Sequence, residues 1–102
     1  MVNSFICSFD RAGRCIDVGI NCITMLRFSA DELKNGSIFG VLEDADSVKL
    51  KTLLENDAQS WSKQVELRFK RKDGSICSTI CSLFYSPSAK NCFCVVHELM
   101  AA

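Results

Sequence analysis

The stretch Phe69-Lys70-Arg71-Lys72-Asp73-Gly74-Ser75-Ile76 decides the fold of this chain. Before it, apolar and charged residues alternate, which is typical of a strand with one buried face and one solvated face. An Asp-Gly pair between two extended segments is a strong signal for a β-hairpin. The sequence therefore predicts a hairpin with one strand at about 63–71 and the next at about 75–85.

The segments around this hairpin complete the pattern of an α+β domain. Alternation of apolar and polar residues predicts further strands at about 4–10, 14–18 and 92–99. The region at about 20–56 has the spacing of short helices instead. Two strands, a helical region and three more strands indicate an antiparallel sheet with helices packed on one face.

The helical region carries its own start signals. Ser29 is followed three residues later by Glu32, which is the capping-box arrangement. A longer helix is expected further on, capped by Asp44 or Asp46. Its apolar positions recur at helical spacing and include Leu50, so we expect one face of this helix to be buried.

Composition limits the functions open to the chain. With 102 residues, of which 48% are hydrophobic and 24% charged, residues 1–102 are expected to form a single domain. Twelve basic and twelve acidic residues cancel, which disfavours nucleic acid as a partner. No apolar run has the length of a membrane span and no signal peptide is recognisable, so we expect a cytoplasmic domain without membrane contact.

Seven cysteines raise the question of a disulfide framework or a metal site. Their number is odd, there is no secretion signal, and neither a Cys-x-x-Cys nor a paired histidine motif occurs. The favoured interpretation is that the cysteines are small buried apolar residues, and no metal site is predicted. The alternative is a thiol redox or metal site formed where neighbouring strands align. The seven positions are Cys7, Cys15, Cys22, Cys77, Cys81, Cys92 and Cys94.

Taken in order, these segments resemble the PAS domain family of sensory modules. The most specific matches are Phe28-Ser29-Ala30-Asp31-Glu32-Leu33 and Glu66-Leu67-Arg68-Phe69-Lys70-Arg71-Lys72-Asp73-Gly74-Ser75. The closing segment Phe93-Cys94-Val95-Val96-His97-Glu98-Leu99 is similar to the last strand of the family. Tyr85-Ser86-Pro87-Ser88 resembles PAS domains that precede bacterial sensor histidine kinases. The resemblance covers nearly the whole chain and implies a five-stranded antiparallel sheet.

The resemblance implies binding rather than catalysis. PAS domains act by enclosing a ligand between sheet and helices, or by gripping a partner with the outer face of the sheet. We therefore expect a sensory or regulatory domain of a larger signalling protein, such as a sensor histidine kinase, with no enzymatic activity of its own. One alternative is a ligand-free dimerisation module, and another is a cysteine-based redox sensor.

By analogy with the family, a small apolar ligand would lie between the helices and the sheet. An equal alternative is that the same side chains interdigitate as a solid core. Trp61 is either a loop anchor or a residue that stacks on a ligand. The expected pocket residues are Phe39, Leu42, Leu50, Leu53, Val65, Leu67 and Cys94.

Known cofactors of the family fit this sequence poorly, and no cofactor is the favoured expectation. The flavin-binding relatives use Asn-Cys-Arg-Phe-Leu-Gln, of which Asn21-Cys22-Ile23-Thr24-Met25-Leu26 keeps only the first two residues. Haem-binding relatives place a histidine on the long helix, whereas Val48 to Glu55 contains none. The single histidine, His97, recurs in the closing motif of the family, and we expect it to be a structural hydrogen-bonding residue.

The outer face of the sheet is expected to be a contact surface. No helix that would cover this face is predicted, although flanking helices cover it in many relatives. An apolar strip there would favour pairing with a second copy, so the sequence predicts a homodimer, with an effector domain attached to the module. The residues predicted to form the strip are Ile6, Ile76, Ile80 and Phe84.

Two departures from the family concern the backbone. An asparagine is frequent in the family where this chain has Gly19, and a glycine where it has Arg27. The loop entering the first helix is therefore expected to be shaped differently here.

Overall fold

A computed structural model of the chain describes residues 3–99. It contains five strands, three α-helices and a 3-10 helix at Ile38–Val41. The strands form one antiparallel sheet in the order β2-β1-β5-β4-β3, and the helices lie between β2 and β3 in sequence. The elements are β1 (Ser4–Asp10), β2 (Cys15–Val18), α1 (Cys22–Leu26), α2 (Ala30–Lys34), α3 (Asp44–Leu54), β3 (Trp61–Lys70), β4 (Ile76–Ser86) and β5 (Asn91–Glu98).

The predicted strand bounds need small corrections. β3 begins at Trp61 rather than at 63, because Trp61 pairs with Tyr85 and lengthens the ladder with β4. β4 begins at Ile76 rather than at 75, because the carbonyl of Ser75 accepts a hydrogen bond from the Arg71 N–H at 2.7 Å within the turn. The ends of the remaining strands agree with the sequence pattern to within one residue.

The hairpin turn has the predicted chemistry. Gly74 has a φ of +90°, in the left-handed region that glycine occupies without steric cost. The Asp73 carboxylate accepts hydrogen bonds from the backbone N–H of Ser75 at 2.9 Å and from its hydroxyl at 2.6 Å. Both contacts close the turn locally, which is why this dipeptide sets the register of β3 against β4.

Strand alternation builds the core on one face of the sheet. Phe5, Cys7 and Phe9 of β1 are buried, as are Leu67 and Phe69 of β3. The rings of Phe5 and Phe69 meet edge to face, with centroids 6.4 Å apart. The core is therefore a layer between the sheet and the helices, which leaves the other face of the sheet uncovered by any described helix.

The N-terminus of α3 corrects the predicted cap. The capping position is Glu43, which makes no side-chain hydrogen bond, and the helix begins at Asp44. Asp46 is buried and faces β3 instead. Its carboxylate accepts hydrogen bonds from the Arg68 backbone N–H at 2.7 Å and from the Arg68 Nε at 3.0 Å. A sequence pattern cannot distinguish a helix cap from an acidic residue that binds a distant strand.

These contacts run along the free edge of β3. The Glu43 N–H donates to the Arg68 carbonyl at 2.9 Å, and the Lys49 ammonium donates to the Glu66 carbonyl at 3.0 Å. At the other end, the Trp61 indole donates to the Asn56 carbonyl at 2.7 Å. Helix α3 therefore covers a sheet edge that would otherwise present unpaired backbone groups.

Arg27 adopts a left-handed backbone conformation. This residue ends α1 with a φ of 67°, and its N–H donates to the Ile23 carbonyl at 3.0 Å. A left-handed residue at this position is the usual way to end a helix, and glycine is the residue that adopts it most readily. The chain therefore keeps the backbone that a glycine would favour while carrying an arginine.

Within residues 3–99, none of the helices has both the length and the apolar character needed to cross a membrane.

Candidate functional site

The outer face of the sheet carries a cluster of apolar side chains at its centre. Ile6 of β1 is the register partner of Val95 in β5, and Phe93 of β5 is the partner of Phe84 in β4. Exposure is 64% for Ile6, 49% for Phe84 and 44% for Phe93. Ile80 and Val95 are half-buried beside them. We call these five residues, Ile6, Ile80, Phe84, Phe93 and Val95, the outer-face patch.

All four residues predicted for an outer strip lie on this face. Ile76 is 41% exposed but sits at the hairpin end of β4, next to Lys70, away from the centre of the patch. The predicted strip did not include Phe93 and Val95. The alternation of Cys92, Cys94 and Val96 on the core side contained the signal, because the residues between them must face outward.

Charged residues surround the patch on the edge strands. The outer face of β3, one edge strand, carries Glu66, Arg68 and Lys70. At the opposite edge of the sheet, β2 carries Asp17, which is paired with Ser8 of β1. An apolar centre with a polar rim is the usual anatomy of a protein interface.

The predicted pocket residues all lie on the core side. Leu42, Leu50, Leu67 and Cys94 are buried, whereas Phe39, Leu53 and Val65 are half-buried and pack against the same core. These residues line the space between the sheet and the helices. This position is expected both for a ligand pocket and for a solid core.

The helical side carries a groove that was not predicted and an aromatic residue, Trp61, for which two roles were expected. A groove of about 580 Å³ lies between α2 and the 3-10 helix, lined by Phe28, Leu33 and Val41 among others. Trp61 stacks on Tyr85 with ring centroids 5.8 Å apart, and its indole N–H is bound to the loop after α3. In this structure Trp61 anchors that loop, which is one of the two roles expected for it.

His97 lies on the outer face, half-buried, with Ile80 and Ser4 as its register partners. The imidazole therefore points away from the core between the sheet and the helices. The predicted hydrogen-bonding role is not found, since no hydrogen bond joins this imidazole to another residue within 3–99.

The seven cysteines are all free and buried on the core side. Burial, with the neighbouring thiol of Cys7, raises the pKa of Cys15 to about 11 and that of Cys92 to about 12. Burial likewise raises the pKa of Cys22 and Cys77. The thiolate is the reactive form, so these thiols are chemically quiet at neutral pH. In the part of the chain that the structure describes, no cluster of His, Cys, Asp or Glu is arranged to hold a metal ion.

One charged cluster joins three elements near the hairpin. The Arg71 guanidinium donates to the Met25 carbonyl at the end of α1 at 2.9 Å and to the Glu98 carboxylate in β5 at 3.1 Å. It also donates to the Ile76 carbonyl at 2.9 Å. This cluster ties the end of the last strand to the helical side of the domain.

No protein-family model matches this sequence, and a search of curated proteins found no match. Solved structures do match. The PAS domain of an HTR-like protein from Haloarcula marismortui superposes with a TM-score of 0.79 at 19% identity, covering 94% of this chain and 86% of that one.

Two further structures show the same likeness. A domain of a sensory box sensor histidine kinase/response regulator from Geobacter sulfurreducens has a TM-score of 0.74 at 18% identity, covering 91% of this chain and 81% of that one. The PAS domain of the RpfR quorum-sensing receptor from Cronobacter turicensis, in complex with C12:0, has a TM-score of 0.77 at 15% identity, covering 98% and 97%.

The strand order, the position of the helices and these superpositions agree over nearly the full length of the chain. The chain has the PAS fold.

Proposed function

We propose that this chain is a sensory or regulatory module of a larger signalling protein, such as a sensor histidine kinase, and that it pairs with a second copy through the outer-face patch. The observation that supports pairing most directly is the exposed, directly opposed pair Phe84 and Phe93 with Ile6 beside them. Large apolar side chains clustered on an otherwise polar surface are characteristic of interaction sites.

The energetics favour a self-complementary contact. Aromatic residues contribute strongly to interfaces because each buries a large apolar area at low entropic cost. In a two-fold pair the same patch serves both partners, and the charged rim of β3 remains in solvent. A signal that changes the packing of the sheet would then shift an attached effector between two states.

Sedimentation velocity tests this pairing with a matched set of variants. We expect wild-type protein at tens of micromolar to sediment as a dimer, and Phe93→Glu as a monomer, because a carboxylate cannot be buried in an apolar interface without cost. Val48→Glu is the control, since Val48 is 61% exposed on α3, far from the patch. A dimer that survives Phe93→Glu would refute the patch as the interface.

The module is also proposed to sense a small apolar ligand on the core side. Support comes from the apolar walls formed by Leu42, Leu50 and Leu67 and from the fold shared with the RpfR domain, which was solved with C12:0. Thermal unfolding with and without C12:0 tests this proposal. A ligand that binds the folded state raises the melting temperature in a concentration-dependent way. An unchanged melting temperature at saturating C12:0 would reject this class of ligand and favour a ligand-free dimerisation module.

A redox sensor with accessible thiols has less support, because every cysteine is buried. The bulky thiol reagent DTNB should therefore react only slowly with the folded protein. After denaturation it should react with all seven cysteines. Fast reaction of several thiols in the folded state would restore this alternative.

A further inference from the structure

Cys7 and Cys94 are direct cross-strand neighbours on the core face of the sheet. They are register partners in the β1–β5 ladder. Each of the other strand cysteines faces Phe, Val or Tyr rather than another cysteine, and Cys22 lies on α1. Directly opposed residues in an antiparallel pair have Cα atoms about 4.5–5.5 Å apart, which falls within the span of a disulfide. The fold therefore presents one pair whose backbone is already spaced for a bond.

The side chains of this pair lie on the same face of neighbouring strands. The neighbouring thiols of Cys7 and Cys81, together with burial, raise the pKa of Cys94. Both residues are almost fully buried, each with 3% of its surface exposed, so a small oxidant such as hydrogen peroxide is the reagent to test rather than a bulky one.

We propose that Cys7 and Cys94 form an intramolecular disulfide when the protein meets a peroxide. One sulfur attacks the O–O bond of hydrogen peroxide and becomes a sulfenic acid as the first water leaves. The second thiol attacks the sulfenic sulfur, the S–O bond breaks, and a second water leaves as the S–S bond forms. Two electrons from the two sulfurs reduce the peroxide, so the step is balanced. The bond would join the strands that carry Ile6 and Phe93, and it is independent of whether the domain dimerises.

Peptide mapping tests the proposal on the full chain. Reduced protein is exposed to hydrogen peroxide, denatured, alkylated and cleaved with trypsin. Cleavage after Arg11 and after Lys90 places Cys7 alone in one peptide and Cys94 with Cys92 in another. We expect two of the seven thiols to escape alkylation and these two peptides to be linked, with a mass loss of two hydrogen atoms.

Two variants identify the bonded cysteine. Cys94→Ala should abolish the link, whereas Cys92→Ala, a change on the same strand, face and peptide, should leave it intact. If Cys94→Ala does not fold, Cys7→Ala provides the same test from the other partner, and fragmentation of the linked wild-type peptides assigns the bond without any variant. A link through Cys92 or Cys81, or seven thiols that all remain open to alkylation after peroxide, would overturn the proposal.

Discussion

Arg27 holds a backbone conformation that is costly for any residue other than glycine. Its φ of 67° ends α1, and the side chain is exposed. The left-handed region costs an L-residue about 1–2 kcal/mol, and glycine avoids this cost. Part of the gain is lost because glycine has more conformational freedom in the unfolded chain. We therefore expect Arg27→Gly to stabilise the domain by about 1 kcal/mol in urea unfolding. Arg27→Ala is the control and should bring no such gain, and a destabilised Arg27→Gly would show that the arginine side chain matters more than its backbone.

Asp46 of α3 binds both Arg68 in β3 and Lys49 on its own helix. It is buried, and it accepts hydrogen bonds from the backbone and the side chain of Arg68. Asp46→Ala leaves a strand N–H without its partner, whereas the half-exposed guanidinium can return to water. We expect a loss of about 2 kcal/mol in urea unfolding. Asp44→Ala, two residues earlier and exposed, should cost little, and equal losses for both would refute this role for Asp46.

The same carboxylate predicts a pH dependence. Burial alone would raise the pKa of Asp46, but the hydrogen bonds and charge of Arg68, with Lys49, outweigh it and hold this pKa below the usual 3.8. A group with a lowered pKa in the folded state stabilises above its unfolded pKa and loses that contribution as the pH falls through the folded value. The difference in unfolding free energy between wild type and Asp46→Asn should therefore stay constant at neutral pH and shrink below about pH 4. A difference that already shrinks near neutrality would contradict this assignment.

Helix α2 is only five residues long and depends on its cap. The Ser29 hydroxyl accepts from the Glu32 N–H at 3.1 Å, and the Glu32 carboxylate accepts from the Ser29 N–H at 3.0 Å. Loss of an N-cap hydroxyl costs about 1 kcal/mol, so we expect Ser29→Ala to lower the unfolding free energy by that amount. Ser60→Ala, in an exposed loop position, is the matched control. No difference between the two variants would mean that packing of Leu33, rather than the cap, holds α2.

Elements whose signals are local were predictable, and elements that depend on distant contacts were not. The capping box at Ser29 and the turn at Asp73-Gly74 involve neighbours in sequence, so the pattern contained them. The partner of Asp46 lies 22 residues away in β3, and no local pattern distinguishes that contact from a cap. Phe93 and Val95 follow from strand alternation, but only once the core side of β5 is known.

For the molecule as a whole, the order of the motifs predicted the fold, and the structural matches confirm it. Occupancy of the interior was not predictable. Leu42, Leu50 and Leu67 must be apolar whether they pack against one another or against a ligand, because both environments exclude water. The sequence therefore specifies the walls of a PAS core without specifying what fills it.

The most direct test of the proposed pairing is native mass spectrometry of freshly purified wild-type chain at tens of micromolar. We predict a species of twice the chain mass of 11.3 kDa. Additional mass on that species would further support the proposed ligand. A spectrum that contains only the single-chain mass across that concentration range would contradict the claim that the outer-face patch joins two copies.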